Sequence, residues 1–122
     1  MTLAPIKTTS VCPHHFFLID YEVHVGYIGP KVVGLSKIPR VVVELAARAE
    51  LQETYTEDIV NVIEKYLEAT GVMVVVYGKH GCMTHRGIKQ HDAVTITSSV
   101  RGLFENDLGA RQEFLSLIRN GK

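Results

Sequence analysis

Two short stretches carry the residues best suited to chemistry: Cys12-Pro13-His14-His15 near the start and His80-Gly81-Cys82 in the second half. A Cys-x-x-His step places a thiolate and an imidazole within reach of one metal ion, and Cys82 adds a second thiolate if the fold brings it close. Two cysteines and one histidine leave one tetrahedral position for water, as a catalytic zinc requires. Bound to zinc, that water has a pKa of about 7, so hydroxide is available near neutrality.

A simpler interpretation of the same residues stays open. Two cysteines in a chain are often plain buried thiols, and a pair of adjacent histidines is a weak signal. If the metal is present, His14 and His80 are neighbours of its ligands. Because imidazoles exchange protons around neutral pH, these two are then the candidates for moving protons.

The start of a predicted helix near Ser36 is a second candidate site. Ser36 can cap this helix, and Pro39 suits its first turn. Free backbone amides, a positive dipole end and the cations Lys37 and Arg40 are what a phosphate site requires. Many helices begin this way for folding reasons alone, so the motif by itself leaves both interpretations open.

Length and charge narrow the class of protein. With 122 residues, 46% of them hydrophobic, the chain fits one domain with one core. Lys plus Arg balances Asp plus Glu at 13 each, so no overall field favours nucleic acid or an anionic membrane. We find no signal peptide and no apolar run near the ~20 residues that span a bilayer. We therefore expect a cytoplasmic protein that keeps its thiols reduced.

Alternating and β-branched residues predict four strands. Pro5 suggests an irregular tail over residues 1–7, and Asp20 suits a turn before the second strand. The first two strands are expected to form an antiparallel hairpin. The predicted strands cover residues 8–11, 22–27, 72–77 and 93–100.

Helical spacing of apolar residues predicts three helices. The first runs from Ser36 to about residue 49. Thr54 and Glu57 form the pattern of a capping box for the second, which Gly71 ends. The last covers residues 109–119, with Asn106 or Asp107 as its cap.

This order predicts an α+β protein, β-β-α-α-β-β plus a terminal helix, with helices on one face of an antiparallel sheet. Four strands leave two bare edges, which invite pairing with another chain. A small sheet of this kind closes into a barrel when several copies combine. We therefore expect a homo-oligomer.

Several motifs, in the same order and at very similar intervals, resemble the GTP cyclohydrolase I family. The resemblance covers about residues 10–119. The residues that carry it are Cys12-Pro13-His14-His15, Gly34-Leu35-Ser36-Lys37, Gln52-Glu53, His80-Gly81-Cys82 with Arg86-Gly87, and Glu113-Phe114-Leu115.

The resemblance implies the tunnelling fold, with subunits pooled into a ring-shaped barrel and two rings stacked, as a decamer of two stacked pentamers. It implies a zinc enzyme that opens the guanine ring of GTP, releases C8 as formate and forms 7,8-dihydroneopterin triphosphate, a step of pterin and tetrahydrofolate biosynthesis. Its implied zinc ligands are Cys12, His15 and Cys82. Its implied catalytic residues are His14, His80 and Ser36, and its implied substrate-binding residues are Gln52, Glu53, Ser36, Lys37, Arg40 and Arg86.

The chain departs from the family pattern in two places. Pro13 stands where Glu is usual, and the helical N-terminal region of most members is expected to be missing. Two other functions stay open: a tunnelling-fold enzyme acting on another purine or pterin, and a ring-forming binding protein without catalysis. Glu53 also has an alternative interpretation, as a solvated loop charge.

Overall fold

Four antiparallel strands form one sheet in the order β1-β2-β3-β4. The structure is a computed structural model that describes residues 2–11, 18–30, 37–48, 51–80 and 94–120. The strands are β1 (Thr2–Val11), β2 (Leu18–Ile28), β3 (Gly71–His80) and β4 (Thr95–Gly102). The helices are α1 (Lys37–Ala46), α2 (Gln52–Leu67), α3 (Leu103–Asn106) and α4 (Leu108–Asn120).

The main core lies between the sheet and the pair α1 and α2. Alternate residues of β2 and β3, such as Val23 and Val74, point to this side and pack against helix residues such as Val42 and Ile59. All four of these side chains are fully buried. The strands of the sheet are therefore held from this face by the two helices that carry four of the candidate substrate-binding residues, Lys37, Arg40, Gln52 and Glu53.

The terminal helix lies on the opposite face, which corrects the prediction that the helices share one face. Met73 and Val75 alternate with the core valines of β3 and pack against Phe114 and Ile118 of α4. The approach is close because Gly26 has no side chain: a Cβ there would lie 2.5 Å from the Phe114 ring. The unbroken apolar run of β3 is the sequence signal for burial on both faces.

The first two strands are longer than predicted. The prediction of a tail over residues 1–7 is wrong for residues 2–7, because β1 begins at Thr2, and its register shifts between Leu3 and Ile6. Such an irregularity on an edge strand accommodates Pro5. Asp20 is not in a turn but pairs with Thr9 on one side and Lys79 on the other. Pairing on both sides outweighs the local turn preference of Asp20.

The predicted helix caps were partly wrong. Helix α2 begins at Gln52 after Leu51, with no side-chain cap, so Thr54 and Glu57 do not form a capping box. It ends at Leu67, followed by Glu68 in the left-handed conformation with φ 48°, rather than at Gly71. The cap of α4 is confirmed, because Asp107 Oδ1 accepts a 2.9 Å hydrogen bond from the Gly109 amide.

Within the described ranges, no helix combines the length and the apolar character needed to cross a bilayer.

Candidate functional site

The strands that lead to the two cysteines end at the same edge of the sheet. Ile19 of β2 pairs with Ser10 of β1 on one side and with His80 of β3 on the other. Adjacent strands lie 4.7–4.9 Å apart, so the ends of β1 and β3 are about 10 Å from each other. Cys12 follows β1 immediately and Cys82 comes two residues after β3. The two strands that precede the cysteines in the chain therefore end side by side, on either side of β2.

Most of the residues predicted to act on substrate or metal lie outside the described part of the chain, and for His80 only the backbone is described. Within the described ranges, no group of three His, Cys, Asp or Glu residues could hold a metal. Two thiolates and an imidazole remain a donor set that suits zinc, and the strand ends above fit their use together. The predicted residues outside the described ranges are Cys12, His14, His15, Ser36, Cys82 and Arg86.

The end of β1 is tied to the helical layer. The Ser10 hydroxyl, which is buried, donates a hydrogen bond to the carbonyl of Ala46, the last residue of α1. A carbonyl at a helix C-terminus has no partner within its own helix, so this bond satisfies it. The bond fixes the point at which the chain leaves β1 towards Cys12.

Gln52 anchors the start of α2 on the sheet. Its side chain is only 3% exposed. Its amide nitrogen, with two protons, donates to three acceptors, so that one N–H is shared: the carbonyls of Val76 at 3.2 Å and Thr95 at 2.9 Å, and the Thr97 hydroxyl at 3.1 Å. Carbonyl oxygens only accept, so these contacts identify the atom that meets them as the amide nitrogen of Gln52 and not its oxygen. Glu53, the next residue, is exposed at this anchored turn.

The sheet is shaped to receive the Gln52 side chain. A Cβ at Gly78 would lie 2.2 Å from Gln52 Oε1 and 3.1 Å from the Tyr21 ring. Tyr21 stacks on Tyr55 with ring centroids 4.6 Å apart, and the Tyr55 hydroxyl donates to the Val42 carbonyl at 2.9 Å. Burial, with a smaller contribution from Tyr21, raises the pKa of Tyr55 well above its usual value, so this hydroxyl stays protonated. The anchor of α2 thus rests on a closely packed support.

The predicted phosphate-binding cations lie at the other end of the helical layer. Lys37 and Arg40 are exposed at the start of α1. Lys37 lines a cleft of about 340 Å³ together with Ile63 and Tyr66 of α2. Ile63 is ten residues beyond Glu53, which is about 15 Å along a helix axis. Within one chain, the structure does not bring Lys37 and Glu53 together.

Sequence reasoning missed a row of polar contacts between α2 and β4. The Ser99 hydroxyl donates to Glu57 at 2.7 Å, and Arg101 forms an ion pair with the same carboxylate. The hydrogen bond from Ser99 and then that from Arg101 lower the pKa of Glu57. The alternation of β4 held the signal, because Thr97 and Ser99 contact α2 while Ile96 and Ser98, which alternate with them, are exposed.

Two solved structures share this fold. The apo crystal structure of an archaeosine synthase QueF-like protein superimposes with a TM-score of 0.68 at 20% sequence identity, covering 84% of this chain and 92% of that one. A protein assigned as dihydroneopterin aldolase (FolB) from Vibrio cholerae gives a TM-score of 0.60 at 7% identity, covering 83% and 96%. At these identities the likeness shows the fold alone, and that fold is the tunnelling fold.

Sequence comparison gives the family. The GTP cyclohydrolase I family pattern matches residues 1–119. GTP cyclohydrolase 1 of Halalkalibacterium halodurans is 49% identical over 112 residues, which is 90% of this chain and 60% of that protein. The enzyme of Bacillus mycoides is also 49% identical, with 90% and 59% covered. The chain belongs to the GTP cyclohydrolase I family and spans about 60% of the length of these relatives.

Proposed function

We propose that this chain converts GTP and water to 7,8-dihydroneopterin triphosphate and formate. Family membership supports the reaction class. The observation that carries the proposal is the shared edge of the sheet: β1 and β3 end on either side of Ile19, and each leads directly to one of the two cysteines. The anchored start of α2 with exposed Glu53 lies near the same edge, because Gln52 packs over Gly78, two residues before the end of β3.

Cys12, His15 and Cys82 are the residues that would hold Zn²⁺. Two deprotonated thiols and a neutral imidazole match the preference of zinc for sulfur and nitrogen ligands. When bound, the ion would supply hydroxide at neutral pH for attack on C8 of the guanine ring.

His14 and His80 would exchange protons with the substrate near N7 and the ribose oxygen. Ser36 is the third proposed catalytic residue. Imidazole suits this task because its pKa lies near the working pH. Glu53 would accept hydrogen bonds from N1–H and the 2-amino group of guanine, a donor pattern that adenine lacks. The exposed carboxylate on a fixed helical turn is suited to such a grip.

Ser36, Lys37, Arg40 and Arg86 would bind the triphosphate. A helix start with cations matches several negative charges. Because Lys37 and Glu53 lie at opposite ends of the helical layer in one chain, we assign the base and the phosphates of one GTP to residues from different copies. This supports a ring of subunits, for which we retain the decamer of stacked pentamers as the proposed form. A single catalytic domain over residues 1–122 and a cytoplasmic location remain predictions.

The direct test is turnover of GTP by the zinc-loaded protein. We expect formate and, after oxidation, a fluorescent pterin in equal amounts. Cys82→Ser should lose zinc and both products together, whereas Ser98→Ala, an exposed change on β4, should keep them. A zinc-loaded wild type that forms neither product would overturn the proposal.

A further inference from the structure

Three hydrogen bonds close a ring between the start of α2 and strand β4. The Gln52 amide nitrogen contacts the Thr97 hydroxyl at 3.1 Å. The Thr97 hydroxyl lies 2.7 Å from the Thr56 hydroxyl. The Thr56 hydroxyl in turn contacts the Gln52 backbone carbonyl at 2.8 Å. Side chain and main chain of one residue, Gln52, are thus joined through two threonines.

The direction of every bond in this ring follows from its chemistry. An amide nitrogen only donates and a carbonyl oxygen only accepts, so Gln52 donates to Thr97 and Thr56 donates to the Gln52 carbonyl. Because the Thr56 hydroxyl has one proton and donates it to the Gln52 carbonyl, the Thr97 hydroxyl must donate to Thr56. Each hydroxyl therefore gives one bond and accepts one, and neither is free to rotate without breaking two bonds.

The ring fixes the turn that presents the base-recognition residue. Thr56 is 1% exposed and Gln52 is 3% exposed, so water does not readily replace either partner. Glu53 lies between these two residues in the chain, and its backbone is held from both sides. Its exposed carboxylate forms no hydrogen bond or ion pair with another residue of the described ranges.

We infer that Thr97 and Thr56 are positioning residues for guanine recognition, acting through Gln52 on the aim of the Glu53 carboxylate. The inference rests on the proposed function. Gln52 then contributes to base selection through the position of this turn, because its amide nitrogen is bonded to the sheet. A misaimed carboxylate loses the bond to the 2-amino group, and small misplacements of a recognition group have large effects on rate.

The test compares GTP with inosine triphosphate, which lacks the 2-amino group. Thr97→Val removes the hydroxyl, Thr97→Ser keeps it, and Ser98→Ala alters the neighbouring residue on the exposed side of β4. The readout is the ratio of kcat/KM for the two nucleotides, with the inhibition constant of inosine triphosphate used if it is not turned over. Because both nucleotides are measured on one preparation, the ratio does not depend on how much protein is folded.

We expect Thr97→Val to lower the preference for GTP by about tenfold, Thr97→Ser to restore it, and Ser98→Ala to leave it unchanged. If Thr97→Val does not fold, Thr56→Val breaks the same ring and is judged by the same ratio. An active wild type whose valine variants lose both nucleotides in equal proportion overturns the inference alone. A zinc-loaded wild type that neither binds nor converts GTP overturns the proposed function and the inference with it.

Discussion

The Gln52 side chain lies directly over Gly78, where a Cβ would be 2.2 Å from its amide oxygen. The first turn of α2 therefore approaches β3 more closely than any residue with a side chain at position 78 would allow. The same amide bonds to Val76, Thr95 and Thr97, so the approach is matched by hydrogen bonds rather than being a chance contact. The helix that carries Glu53 is thus located by the sheet.

Gly78→Ala should destabilise the protein by about 1–3 kcal/mol, the usual cost of an extra methyl group in a packed site. Gln52 must move, which breaks bonds to two strands. Urea unfolding gives the free energy of unfolding, with Ser98→Ala on the exposed side of β4 as the control. Equal stability of the two alanine variants would contradict the close approach.

Phe114→Ala should cost about 3–5 kcal/mol, because this side chain is 2% exposed and fills the space above Gly26. Leu117→Ala on the same helix removes a side chain that is 50% exposed and should cost about 1 kcal/mol or less. The two are compared by denaturant unfolding. Similar losses would show that α4 does not pack on the second face of the sheet as described.

The pairing of Glu57 predicts a pH-dependent contribution to stability. Its pKa is lowered in the folded state, so the contribution is present above the ordinary carboxyl value of 4.5 and is lost as pH falls through the folded pKa. Because Glu57 is 48% exposed, the effect should be below about 1 kcal/mol.

The measurement is the difference in unfolding free energy between wild type and Glu57→Gln across pH. We expect a deficit at pH 7 that shrinks below pH 4.5. Glu44→Gln, an exposed change on α1, serves as the control. A deficit that grows on acidification would have the wrong sign for this account.

The separation of Lys37 from Glu53 predicts complementation between subunits. Lys37→Ala and Glu53→Gln should each be inactive alone. When the two variants are refolded together, sites that draw one residue from each copy should regain activity, with about a quarter of sites intact for random mixing. A mixture no more active than the sum of its parts would place both residues in one chain's site.

The sequence was informative where local pattern and burial agree. The apolar runs of β2 and β3 predicted strands that the structure contains, and Asp107 was one of the two residues predicted to cap the last helix. The predictions for Asp20 and Glu57 were wrong. Partners on neighbouring strands outweighed the turn predicted at Asp20 and the capping box predicted at Glu57.

Part of the candidate site was likewise predictable from the sequence and part was not. Motif order led to the family, which the comparisons confirmed. Thr97 and Gly78 both contact Gln52, from which they are separated by more than twenty positions in the chain. No local sequence pattern encodes these contacts. The metal ligands and the acid-base histidines stay predictions, supported by the strand ends that lead to them.

The most direct test of the central claim follows the guanine C8 atom, using GTP labelled with ¹⁴C at that position and the zinc-loaded chain. We predict that the label leaves as formate in step with pterin formation, and that Cys82→Ser releases none. If the label remains in the purine although the wild-type chain holds zinc, the account is contradicted.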